Sequence, residues 1–209
     1  MRPALVSSVA AVVALMAGAG CVFRTAEAPR FYRPASAALD GASAGPATSA
    51  PSAGAPIHLR SVRSAPFLRE RIVWRSSPVE YGLYEQRRWF ELPTRYVRRA
   101  LTSALEGAPG LRLDDDPKAP RLDVEILAFD EVLSPTHQAS VALAVTLRDG
   151  SEERLEHLYE AAAPIASTDG AAMAEAMGKA LDDVVGQVAR AASTALAAKP
   201  GANGTRRRK

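Results

Sequence analysis

The chain has 209 residues, of which 47% are hydrophobic, 23% charged and 6% aromatic, enough for one domain with a full core and too few for a large multidomain enzyme. The formal charge of +3 invites a nucleic-acid reading, but the distribution argues against one. Residues 57–198 hold 17 Lys/Arg against 21 Asp/Glu, so the basic excess sits in the tail Arg206, Arg207, Arg208 and Lys209 and in the early arginines Arg24, Arg30 and Arg33. Within the domain the sign is polarised, with 11 basic and 5 acidic residues in 57–112 but 6 and 16 in 113–198. Such polarity serves internal pairing, or a ring or head-to-tail homo-oligomer.

Arg2 opens a positive segment, Ala4 to Ala17 is uncharged and apolar, and small residues then lead to the single cysteine, Gly18-Ala19-Gly20-Cys21. This is the pattern of an export signal over residues 1–20. Its apolar run is shorter than the ~20 residues a spanning helix needs, and no other segment could cross a bilayer. A lone cysteine in an exported chain has no internal disulfide partner. Small residues immediately before it resemble the lipobox of bacterial lipoproteins, where only a thiol can form the thioether to diacylglycerol. Cleavage after Ala19 is the competing route and would leave a free thiol. With Val22 rather than aspartate after Cys21, the resemblance implies a lipid anchor in the outer membrane of a Gram-negative bacterium, facing the periplasm. The covalent lipid at Cys21 is then the chain's only added group, and no cofactor or metal is expected.

Residues 21–56 form the lipidated cysteine and an Ala/Ser/Gly/Pro tether. Its stretch 34–56, broken by Pro34, Pro46, Pro51 and Pro56, has too few large apolar side chains to fold. As a flexible chain it would reach roughly 25 Å.

The domain then spans 57–198. Ile57–Val62, Ile72–Trp74 and Val79–Trp89 read as strands. A helix from about Thr94 to Leu105 follows Pro93, with Val97, Ala100, Leu101, Ala104 and Leu105 as one apolar stripe and Gly107 at its end. Alternation at Leu122, Val124 and Ile126, then at Val141, Leu143, Val145 and Leu147, and a run Leu155–Ala161 after the Asp149-Gly150 turn predict an antiparallel meander. The last helix, about Gly170 to Ala197, is capped by Thr168 or Asp169. The expected fold is α+β, a two-layer sandwich with a mostly antiparallel sheet of five to six strands and two amphipathic helices on one face. Residues 199–209 form a basic disordered tail.

The chemistry search finds little. His58, His137 and His157 lie in unrelated segments with no metal-ligand spacing, and Asp114-Asp115-Asp116 before Pro117 reads as a solvated turn. There is no nucleophile elbow and no phosphate loop.

One segment does carry a signal: Arg69-Glu70-Arg71-Ile72-Val73-Trp74-Arg75, then Tyr81, Tyr84-Glu85-Gln86-Arg87-Arg88-Trp89 and Glu91-Leu92-Pro93 leading into the helix. It resembles the ABC-type transport auxiliary lipoproteins, in which a strand near "I-V-Y-R" precedes "Y-x-x-x-R-W-x-x-P-P" and a helix. Here Trp74 takes the tyrosine position and Leu92 that of the first proline. The resemblance implies a non-catalytic envelope lipoprotein that serves an ABC-type lipid transport system with MCE-domain proteins. Its partners would be those components and the membrane, not nucleic acid. A general periplasmic binding or outer-membrane assembly lipoprotein is the alternative. Tyr84, Arg88 and Trp89 are candidates for the partner interface, being residue types enriched at interface anchors. The competing reading places Trp89 in the core and pairs Arg88 with Glu85.

Overall fold

The structure is a computed structural model and describes residues 27–41 and 54–198. The signal, Cys21, the middle of the expected tether and the basic tail lie outside the described residues.

The architecture is α+β, with eight strands and three helices among these residues. The chain runs through β1 (Arg30–Tyr32), α1 (Ala37–Gly41), β2 (Ala55–Ser64), β3 (Arg71–Arg75), β4 (Tyr81–Trp89), α2 (Pro93–Glu106), β5 (Leu111–Leu113), β6 (Arg121–Val132), β7 (Gln138–Asp149), β8 (Glu152–Pro164) and α3 (Gly170–Ala197). The expected meander is the backbone of the sheet: β6, β7 and β8 pair antiparallel over nearly their full lengths, and Gly150 takes φ 60° in the turn, a conformation that favours glycine. The other edge of β6 is shared. Arg121 to Ile126 pair in parallel with β2, and Asp130 to Val132 pair in parallel with β3. β5 then adds to β2, while β4 and β1 continue from β3.

The fork has a local cause. The β6–β7 register shifts between Ile126 and Ala128, which inserts Leu127 as an extra residue. Leu122, Val124 and Ile126 alternate into the core, and after the bulge the core positions move to Phe129. Asp130 and Val132 consequently point to the open side of the sheet.

α2 and α3 pack on one face of the sheet and against each other. Val97, Ala100, Leu101 and Leu105 of α2 are fully buried, as the stripe predicts, and the Asp169 carboxylate accepts from Ala172 N at 2.8 Å to cap α3. The sheet has more strands than expected because β1 and β5 have three residues each, too short to show an alternation.

The expected tether is corrected where the structure describes it. Residues 30–41 form a strap across α3 rather than free chain. Tyr32 packs beside Gly170, the Ala35 backbone beside Gly178, and Leu39 is buried in the core. Ser36 Oγ and the backbone N–H groups of Ala37 and Ala38 all donate to Asp182, at 2.5, 2.8 and 3.2 Å. Small side chains, which suggested unfolded sequence, here permit the close approach of backbone to helix.

Candidate partner interface around β4

Strand β4 carries different chemistry on its two sides. Toward the helices, Tyr84 faces the carboxylate of Glu131, a residue of β6 whose side chain is 2% exposed. Burial, reinforced by that carboxylate, pushes the Tyr84 phenol up to about 12, and the Arg87 cation opposes the shift. The Arg87 guanidinium lies 4.6 Å from the Tyr84 ring centroid and 3.6 Å from Glu131, and it donates to the carbonyl of Thr168 at 2.8 Å. His137 Nε2 completes the cluster at 2.6 Å from Glu131 Oε1. Three side chains from β4 and the β6–β7 loop thus converge on one buried carboxylate. Glu131→Ala is expected to cost about 2 kcal/mol in urea unfolding, since Arg87 and His137 lose their shared acceptor. Stability unchanged from wild type would show that the cluster contributes nothing.

On the open side, Arg75 Nε lies 2.7 Å from Asp130 Oδ2. Burial pushes the Asp130 carboxyl up, and Arg75 pulls it part of the way back. Beside this pair Phe67, Val73, Tyr81, Gly82 and Leu83 line an apolar groove of about 470 Å³. Phe67, Tyr81 and Leu83 are each about half exposed, and the Phe67 and Tyr81 rings lie 6.4 Å apart. Gly82 must be glycine here, because a Cβ would come within 2.2 Å of the Trp74 ring.

The three residues marked by sequence for an interface separate. Trp89 is corrected: it is 1% exposed, with its ring edge-on to Phe129 at 5.2 Å and to Tyr96 at 6.3 Å, and it offers a partner no surface. Tyr84 is half-buried beside Glu131, under the Arg87 guanidinium. Arg88 points to the open side, in register with Phe31 of β1 and Arg71 of β3. Arg87, passed over in the sequence, is the arginine that organises the polar cluster. Between Leu83 and Arg88 β4 bulges against β3, so simple alternation could not separate the two arginines. Charge polarity is in part internal: Arg60–Asp123, Arg75–Asp130 and Arg87–Glu131 link the basic early half to the acidic later half.

The histidines are occupied elsewhere or locally. His58 Nδ1 contacts the Asp114 carbonyl at 3.0 Å, and His157 lies edge-on to Tyr159. The aspartate run is a turn, with Asp114 and Asp116 accepting from the Asp116 and Lys118 N–H groups. Among the described residues no group of three His, Cys, Asp or Glu could hold a metal ion, and no helix is long and apolar enough to cross a membrane.

The model of the family described as the ABC-type transport auxiliary lipoprotein component matches residues 38–189, from within α1 into α3. The chain belongs to that family. Solved structures share the fold at low identity. A Xanthomonas campestris protein of the DUF330 family superposes with a TM-score of 0.66 at 19% identity, covering 79% of this chain and 95% of its own. An uncharacterized protein gives 0.63 at 13%, covering 80% and 100%. A hypothetical protein from Chlamydia trachomatis gives 0.50 at 11%, covering 70% and 100%. No curated protein matches the chain significantly.

Proposed function

We propose that the protein is a non-catalytic accessory lipoprotein of an ABC-type intermembrane lipid transport system with MCE-domain components, anchored in the outer membrane through acyl chains on Cys21 and facing the periplasm. The observation that carries this reading is the family match, which spans nearly the whole folded domain and coincides with a lipobox-like Gly18-Ala19-Gly20-Cys21 ahead of it. The half-exposed groove beside Tyr81 and Leu83 supplies contact chemistry for a protein partner.

Cross-linking the tagged protein in its native envelope, purifying it in mild detergent and identifying its companions by mass spectrometry tests the partnership. MCE-domain and ABC-permease subunits are the expected companions. Recovery of outer-membrane assembly proteins in their place would sink the transport assignment. In the same strain Cys21→Ala is expected to abolish palmitate labelling and release the chain from the membrane fraction. Unchanged labelling and fractionation would remove the anchor from the proposal.

A further inference from the structure

The strap changes how far the domain can stand from its lipid. With β1 fixed to β4, only residues 22–29 separate Cys21 from the fold. Fully extended, such a segment reaches at most ~30 Å. The surface around β1 is therefore held close to the leaflet that takes the acyl chains, and its composition suits one.

Phe31, Arg88 and Arg71 lie side by side in register across β1, β4 and β3. Their chain neighbours Trp89 and Ile72 are buried, and Tyr32 packs against the core, so this row faces away from the core by strand alternation. Phe90, whose N–H donates to the Tyr32 carbonyl at 2.8 Å, continues the row past the end of β4. Phe31 is 57% exposed and Phe90 69%. Arg69 lies on the loop into β3, and its Nε donates to the Pro66 carbonyl at 3.3 Å.

These arginines differ in pairing from several others of the sheet and α2, though Arg63, Arg95, Arg98 and Arg121 are likewise without an ion pair among the described residues. Arg60, Arg75, Arg87 and Arg99 each face a carboxylate, whereas Arg69, Arg71 and Arg88 make no ion pair among the described residues. Arg88 Nε is buried without a hydrogen-bond acceptor. The acidic neighbours along the chain are Glu27, which lies 3.8 Å from Arg30, Glu70, between two of these arginines, Glu85 on β4, and Glu91, which is held by Arg99 at 2.9 Å. Exposed phenyl rings flanked by unpaired guanidinium groups match a phospholipid interface, where rings enter the headgroup–acyl boundary and cations meet phosphates.

We infer that Phe31, Phe90, Arg69, Arg71 and Arg88 form a membrane-contact surface that seats the domain on anionic phospholipid beside its own anchor. The inference rests on Cys21 lipidation for the domain's proximity, while the patch itself can be tested without the lipid.

The native lipoprotein is purified from membranes, its Cys21 modification read by mass spectrometry, and Phe31→Trp and Phe90→Trp forms are reconstituted in vesicles of phosphatidylglycerol and phosphatidylethanolamine containing brominated acyl chains. Tryptophan emission above the Trp74 and Trp89 background is expected to be quenched at shallow bromine positions in both forms. Emission that stays water-like while Cys21 is acylated overturns the contact surface and leaves the anchor standing. The unlipidated mature chain carrying Cys21→Ala provides a second arm, flotation with the same vesicles. Salt-sensitive binding that falls about fivefold for each arginine neutralised, in Arg71→Gln and Arg88→Gln, is the expected outcome. Binding that is absent, or indifferent to both substitutions, overturns the surface, and an unmodified Cys21 in the first arm sinks the anchor alone. Shielding of the introduced tryptophans by co-purified transport subunits, with no quenching in vesicles, would assign the patch to a protein partner and also overturn it.

Discussion

Trp89→Ala is expected to remove about 3–5 kcal/mol of stability, enough to leave a domain of this size largely unfolded at physiological temperature. The indole is 1% exposed and sits edge-on to Phe129 at 5.2 Å and Tyr96 at 6.3 Å, so truncation opens a void where β4, β6 and α2 meet. Edge-to-face rings contribute beyond their buried area, and both pairs are lost together. Trp89→Phe keeps an aromatic edge at the site and is expected to lose roughly half as much. Urea unfolding followed by circular dichroism measures both. The opposite pattern, in which Trp89→Ala melts like wild type but no longer retains its transport partners, would return this residue to an interface.

The contrast between Trp89 and Arg88 shows what a sequence of this kind discloses. Long periodic elements were legible: α2 and α3 form where the apolar stripes lie, and the β6–β8 meander follows from alternation and the Asp149-Gly150 turn. The family segment was legible too, because its aromatics and arginines are closely spaced. Which of those residues reaches solvent was not. A tryptophan on a strand has the same residue type whether it fills a core or anchors a partner, and the facing aromatics Tyr96 and Phe129 come from distant parts of the chain. The bulge between Leu83 and Arg88 shifts the alternation, so position along the strand does not say which of Arg87 and Arg88 faces the core. Glu131 was hidden for a similar reason, since the extra residue Leu127 shifts the inward positions of β6 by one. Residues 30–41 escaped notice because their composition is that of a linker. Their fold depends on two glycines and an aspartate more than 130 positions later, contacts that no local pattern records.

Those distant contacts set up the second large effect. Gly178→Val is expected to lift the strap from α3, because a Cβ at this position would lie 1.9 Å from the Ala35 carbonyl oxygen and 2.2 Å from its carbon. Both are backbone atoms, so no side-chain rotation relieves the clash. Lifting the strap exposes Leu39 and strips Asp182 of the hydroxyl and two N–H groups it accepts from, a combined loss of about 3–5 kcal/mol for that segment. Asp182→Ala removes the polar half alone and should show a smaller version of the same change. Limited trypsin digestion reads it directly: cleavage after Arg30 should be at least tenfold faster in Gly178→Val than in wild type, while the β6–β8 meander stays protected. Identical cleavage rates would mean the strap is not seated on α3. The consequence reaches the proposed function, because a docked strap leaves residues 22–29 between Cys21 and the fold, whereas a lifted one leaves residues 22–54, which fully extended span up to ~110 Å. A lipoprotein whose domain must rest on its own leaflet and one whose domain must reach across toward a partner need opposite tethers. With Cys21 acylated as proposed, the packing of Ala35 on Gly178 would set that distance.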